Sequence, residues 1–320
     1  MGRILRSVER ACHAMEGQGW VDGPSHKLEH GFALTVNLFG DASGRIRNAL
    51  HGTWLGHPLH PFLTDIPVGA WTTALVLDIA AARAPARHAG PGDPARQCIA
   101  VGLVGAGAAA ITGLTDWQYT HDNARRLGLA HATLNVAATG LYAASWRARR
   151  HGAPARGRVL STTGYLFALA SGYLGGSLVA RHQIGVDHSD HQLEPRTYTA
   201  VLAERDLPDG EPTEVSVAGT TVTLVRSGGR LCALSAHCSH LGGPLPEGWL
   251  YHDSLVCPWH GSRFDLDTGE VVAGPATAPL ERLDVRSRNG QIEVRRRPPV
   301  PQAPPGSVVA REQRHADAGH

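Results

Sequence analysis

Cys238, His240, Cys257 and His260 stand in the order Cys-x-His, sixteen residues, Cys-x-x-His, and this spacing constrains the chain more than any other feature. Two kinds of metal centre compete for such a set. Structural zinc accepts two Cys and two His, but zinc fingers keep like ligands together, Cys with Cys and then His with His. Here each short loop supplies one of each. A two-iron, two-sulfide cluster uses that mixture: neutral imidazoles on one iron remove negative charge and lift the potential into a range of roughly −150 to +300 mV. The interleaved order favours iron–sulfur.

The flanks of the four ligands carry a resemblance. Cys238-Ser-His-Leu-Gly-Gly-Pro-Leu-Pro-Glu-Gly248, then Cys257-Pro-Trp-His-Gly-Ser-Arg-Phe-Asp265, Thr268-Gly269 and Gly274-Pro275 resemble the Rieske [2Fe-2S] domain family over residues 196–296. The resemblance implies an all-β iron–sulfur fold with one cluster per chain. Cys238 and Cys257 would hold the inner iron, and His240 and His260 would form the electron and proton port. Glycines after each ligand pair permit tight loops, and Gly274-Pro275 resembles the family's third, proline-containing loop. Departures from the respiratory branch are informative. Its members carry an extra Cys after each ligand pair, joined as a disulfide, where this chain has Gly243 and Trp259. Ser262 matches a serine that donates to a cluster sulfide, whereas Phe264 replaces the tyrosine of high-potential members. Fewer donors to the sulfurs lower the potential, so a ferredoxin-like, disulfide-free centre is expected.

The rest of the chain has the composition of a membrane domain. Charged residues are 18% of the whole, against roughly 25% in soluble domains, and they are concentrated outside four apolar stretches at 62–81, 98–114, 127–146 and 159–180. Each approaches the ~20 residues that cross a bilayer as a helix; the second is the shortest. Four buried helices of a soluble bundle would show a polar stripe, and Cys98–Ile111 shows none. Gly102 with Ala106, and Gly172 with Gly176, have the spacing of close helix contacts in lipid. A four-span α-helical domain over 48–190 is therefore expected, joined to the Rieske domain. Residues 1–47 read as a polar or interfacial segment in which Arg3, Arg6 and Arg10 precede no secretion-signal core. Ile46, Leu50 and Trp54 suggest a helix lying on the membrane surface. The Pro-rich stretch 297–320 reads as disordered. Asp78 is expected to pair with Arg83 or reach the interface, and Arg149-Arg150 to be a surface charge cluster. Cys12 and Cys98 belong to no motif, and Cys232 reads as an apolar strand residue.

With four spans, His57, His60, Asp65, His131, Asn135, His182 and His188 fall on the Rieske side of the membrane, while the opposite loops hold only His88 and His151. Gly56-His-Pro-Leu-His-Pro61, with Thr115-Asp-Trp117, His131 and Gly185-Val-Asp-His188, resembles a bacterial four-helix membrane family marked by His-Pro-Leu-His-Pro, over about 48–190. Ionisable groups near hydrocarbon usually serve a pathway or ligand. Asn135 follows His131 by one turn on the same face. With His57, His60 or His182, His131 can ligate a haem b iron, bind a metal or hydrogen-bond a quinone; the plainer alternative is interfacial residues satisfied by water and backbone. Arginines at 83, 87, 96, 147, 149, 150, 156 and 158 crowd the opposite side, so positive-inside logic leans towards an extracytoplasmic cluster domain on a multi-pass bacterial membrane protein.

The expected function is a membrane-anchored carrier passing one electron at a time between a membrane donor, quinone or haem, and another redox protein. A redox or iron sensor is the alternative. A ring-hydroxylating oxygenase would need a further mononuclear iron domain, and after Gly290 only a strand and a tail are expected. Near-neutral charge, with arginines bracketing apolar spans, points away from nucleic acid.

Overall fold

The computed structural model describes residues 10, 12–83, 92–191 and 194–297. The expectations on Arg3, Arg6, Arg87, His88 and the tail from 298 lie outside those residues. Two compact units partition the chain: one takes the residues up to Phe39 with Leu59–Ile184, the other Gly40–Pro58 with the residues from Gly185 on. The second unit thus draws on a segment that precedes the long helices.

Each apolar stretch lies within one long helix: α3 Leu59–Arg83, α4 Pro94–Trp117, α5 Asp122–Arg150 and α6 Pro154–Ala180. Proline opens α4 and α6 where a missing N–H costs nothing, and the Asp93 carboxylate caps α4 by accepting from Arg96 N at 3.1 Å. Two helices, α3 and α4, are long and apolar enough to span a membrane, with mean hydropathy 1.3 and 1.9; the shortest predicted stretch lies in the more apolar of the two. Arginines and histidines lower α5, and Ser, Thr and Gly lower α6. N-terminal to them, within the segment read as polar or interfacial, lies the helix α1 Asp22–Asn37. Arg126 pairs with Asp22 at 2.7 Å and Arg125 with Glu29 at 2.5 Å, partners about a hundred positions away and so invisible in the local sequence.

Packing in this unit corrects three expectations. The glycines that admit a neighbouring side chain on α6 are Gly157, under Arg149, Gly164, under Tyr142, and Gly175, under His131, while Gly172 and Gly176 face open space; spacing alone does not say which face of a helix is covered. Asp78 pairs with Arg149 at 2.5 Å rather than with Arg83, and Ser161 donates to the same carboxylate. Arg149 is accordingly buried, not a surface charge.

In the second unit, α2 Ser43–His51 ends on Gly52, whose φ of 84° suits glycine. Alternating apolar positions then build two antiparallel sheets. The larger has the order β1 Thr199–Ala203, β10 Gln291–Arg296, β9 Arg282–Arg288, β4 Arg230–Ser235, β3 Thr220–Ser227, β2 Thr213–Val217; the smaller runs β5 Trp249–Tyr251, β6 Ser254–Val256, β7 Arg263–Asp265, β8 Val271–Ala273. Leu234, Leu245, Leu255, Phe264 and Leu266 join Cys238 and Cys257 in one core. Cys232 is buried on β4, as its apolar surroundings suggested. Ile46 and Leu50, singled out in the sequence, lie on α2, which belongs to this β unit and bonds it through Asn48.

Candidate metal centre

Two loops of matching backbone carry the four candidate ligands. Cys238 N donates to Gly243 O (2.9 Å) and Gly242 N to Cys238 O (2.8 Å); Cys257 N donates to Ser262 O (2.8 Å) and Gly261 N to Cys257 O (3.1 Å). In both, the residue four after the cysteine is a glycine with φ of 74°, a conformation that folds the loop back over its cysteine and that side chains resist. The first loop leaves β4; the second joins β6 to β7, so the strands fix the separation of the two.

The donor set suits a two-iron cluster. The cysteines sit in the core, and their mutual hydrogen bond pulls the Cys257 thiol down while that bond and burial push Cys238 up; metals bind the thiolate form of both. The imidazole rings of His240 and His260 lie 5.0 Å apart, edge to face, and two imidazoles on one tetrahedral metal hold their ring centres about 5 Å apart at metal–nitrogen bonds of about 2.0–2.1 Å. His240 Nδ1 is buried without a hydrogen bond, although the residue makes other contacts. Among the described residues, no three His, Cys, Asp or Glu gather round a single ion. A lone zinc would need all four at one point; a cluster takes the cysteines on one iron and the histidines on the other.

The remaining residues singled out by sequence surround the loops. Ser262 is fully buried; its Oγ accepts from Ala276 N at 3.0 Å and its hydroxyl turns to the Cys238 sulfur. Phe264 is buried in the core, Pro275 is buried in the third loop, and Trp259 is 56% exposed. A Cβ on Gly243 would approach Cys257 Sγ to 2.8 Å and the Trp259 ring to 3.2 Å, so these two positions are matched to each other. No disulfide forms among the described cysteines.

Sequence reasoning missed the brace around these loops. Asn48, on α2, accepts from Gly274 N at 3.0 Å and donates to Val272 O at 3.2 Å, occupying the backbone next to Pro275. His188 N donates to Ser239 O, and Asp190 holds both Ser235 and the ring of His237, the latter at 2.8 Å. Ser239 ties the first loop to the third through Ala278 O at 2.6 Å. The partners of Asn48 lie more than two hundred positions away, and no local signal marks them.

The membrane candidates divide. His60 and His131 approach each other, with ring centres 6.4 Å apart, and Asn135 donates to His131 Nε2 at 3.0 Å. His57 belongs to the other unit, exposed, with its ring bonded to Pro58 O. His182 pairs with Glu16 at 3.0 Å, and Asp65 is exposed on α3.

The fold and the two Cys/His loops define a domain of the iron–sulfur class. The chain belongs to the Rieske [2Fe-2S] domain family, matched over residues 197–286, and residues 56–188 match a second family, described as a predicted membrane protein (DUF2231). The 3-phenylpropionate/cinnamic acid dioxygenase ferredoxin subunit of Escherichia coli (strain K12) is 35% identical over 98 residues, 30% of this chain and 90% of that protein. Apoptosis-inducing factor 3 of Homo sapiens is 30% identical over 125 residues, 38% of this chain but only 21% of that longer protein. Among solved structures, the ferredoxin of carbazole 1,9a-dioxygenase from Nocardioides aromaticivorans IC177 shares 33% identity over 32% of this chain and 99% of its own, with a TM-score of 0.31. Homology to a ferredoxin subunit gives the Rieske domain an electron-transfer role and a [2Fe-2S] cofactor.

Proposed function

We propose that this protein is a membrane-anchored, one-electron carrier, in which the cluster on Cys238, His240, Cys257 and His260 shuttles electrons between a redox group in the membrane and a second redox protein. The mixed Cys/His ligand set carries the reading: its intermediate potential allows reversible one-electron exchange. The half-buried imidazoles of His240 and His260 are the exit, with exposed Trp259 beside them. A ferredoxin subunit hands electrons to a dioxygenase, which is a precedent for the partner's chemistry rather than its identity.

Anchoring is supported by the outer surface of the helical unit. Val104 on α4, Val136 on α5 and Leu166 on α6 are 77%, 72% and 61% exposed, whereas Ser145, Ser161, Ser171, Asp78 and Arg149 are buried. Apolar outside and polar inside is the arrangement a helix bundle adopts in lipid, and it extends the reading to all four long helices. The cluster domain is read as extracytoplasmic from the arginine distribution.

The test is reduction of detergent-purified full-length protein by a quinol analogue, followed by cluster absorbance and electron paramagnetic resonance. Rapid, reversible one-electron reduction supports the carrier. A cluster that titrates electrochemically yet exchanges electrons with no quinol or haem partner would favour the sensor reading instead. A C-terminal tag resistant to protease in intact cells would reverse the proposed side.

A further inference from the structure

The helical unit has an internal two-fold correspondence. His60 and His131, Trp71 and Tyr142, and Asp78 and Arg149 are each separated by 71 positions, and each pair meets. Asp78 binds Arg149, Trp71 stacks on Tyr142 with ring centres 4.0 Å apart, and His60 faces His131. Their cradles correspond as well. Gly102 and Gly113 make room for Trp71 and His60, and Gly164 and Gly175, each 62 positions later, do so for Tyr142 and His131. The hairpin α3–α4 therefore repeats as α5–α6, and the three pairs run in layers between the repeats.

Two of those layers complete themselves, one by charge and one by stacking. In the histidine layer each ring is tied instead to groups of its own hairpin. His60 Nδ1 lies 2.8 Å from Ala109 O, and His131 Nδ1 lies 2.8 Å from Ser171 O. A carbonyl only accepts, so both rings carry their proton on Nδ1 and a lone pair on Nε2. Asn135 donates to His131 Nε2 at 3.0 Å, which marks the same tautomer and requires this amide to turn aside when Nε2 takes a metal. An imidazole with Nδ1–H tied to a carbonyl is the form that ligates metals through Nε2.

Spacing selects the ligand. Two imidazoles on opposite sides of one metal, with bonds of about 2.0–2.1 Å, place their ring centres about 6.3 Å apart, against about 5 Å at a tetrahedral angle. The 6.4 Å seen here fits the opposed arrangement, in contrast to the 5.0 Å of His240 and His260. With a lone pair rather than a proton on each Nε2, neither ring can donate to a quinone oxygen there. Among the described residues no third His, Cys, Asp or Glu joins the pair, so the other coordination positions call for a macrocycle. We propose that His60 and His131 are the axial ligands of one b-type haem between the two hairpins. The site stands on bundle geometry; its service as the membrane redox group of the cluster rests on the carrier reading above.

The experiment is expression of the full chain with haem supply, detergent purification, haem quantification and visible spectra of oxidised and reduced protein. One haem per chain with a low-spin, six-coordinate spectrum is expected. His60→Ala and His131→Ala should each lose it while the Rieske resonance persists. Should those variants fail to fold, Gly113→Ala keeps both ligands but drives a methyl to 2.7 Å from the His60 ring, weakening haem binding by roughly 10–100-fold, and His131→Met should bind haem with a shifted spectrum. Cluster-bearing wild type that fails to saturate with added haemin overturns the haem site and leaves the carrier intact. So does a bare metal ion bound in its place, and haem retained unchanged in both alanine variants overturns these ligands. Loss of the cluster signal from wild type would strike the carrier reading and not the haem.

Discussion

Ser262→Ala should lower the midpoint potential of the cluster. Ser262 is wholly buried, accepts from Ala276 N at 3.0 Å and turns its hydroxyl on the Cys238 sulfur, so nothing replaces the lost donor. Reduction adds negative charge to the sulfurs, and a hydrogen bond to a charged group is worth about 1.5–3 kcal/mol net. If that strength develops mainly on reduction, then with about 59 mV per tenfold change in a one-electron equilibrium the midpoint falls by about 60–130 mV. The assay is a redox titration of the full-length protein followed by visible circular dichroism. The variant also strands the Ala276 N–H, so iron content and thermal unfolding must be checked, and Ser262→Thr, which keeps the hydroxyl, should restore most of the potential. A fully loaded alanine variant within about 20 mV of wild type, less than the weakest ordinary hydrogen bond would give, would refute the argument.

Asn48→Ala should act in the same direction but more weakly, because Asn48 holds Gly274 and Val272 on either side of the third loop, and that loop supplies the Ala276 N–H to Ser262; a midpoint and cluster spectrum identical to wild type would show that α2 is only packing. Gly243→Ala should reduce iron content, since its methyl would come within 2.8 Å of Cys257 Sγ, and stoichiometric iron with a native spectrum would contradict it. Arg149→Met leaves Asp78 buried without its partner and should destabilise the helical unit by about 3–5 kcal/mol, read from thermal unfolding in detergent; Asp78→Leu with Arg149→Met should recover most of the loss, and equal melting of single and double variants would argue against the pairing.

The candidate ligand set was legible in the sequence because the chemistry is short-range. A cysteine, a histidine two or three positions on and a glycine four positions on make a complete loop, so Cys238–Gly242 and Cys257–Gly261 announce themselves without the rest of the fold. Four helices were legible for a similar reason, since an apolar run records its own burial whatever its neighbours are. Which face of each helix met which partner was not. Gly172 and Gly176 had the spacing for contact, yet Gly164 and Gly175 received the side chains, because a periodic pattern fixes a stripe and only the neighbouring helix says where it points. Asp78 was expected to pair with Arg83 or reach the interface, and packing gave it Arg149 in the corresponding position of the repeated hairpin. The repeat itself was hidden because its facing residues differ, Trp71 with Tyr142 and Asp78 with Arg149: complementary pairs need not look alike. Asn48 and Asp190 were silent for the same physical reason. Their partners are backbone groups and side chains tens to hundreds of positions away, and a hydrogen bond depends on distance in space, which sequence separation does not measure. The sequence by itself thus determined the metal-binding chemistry and the apolar helices; the tertiary structure alone decided what braces the cluster loops and that two histidines confront each other inside the bundle.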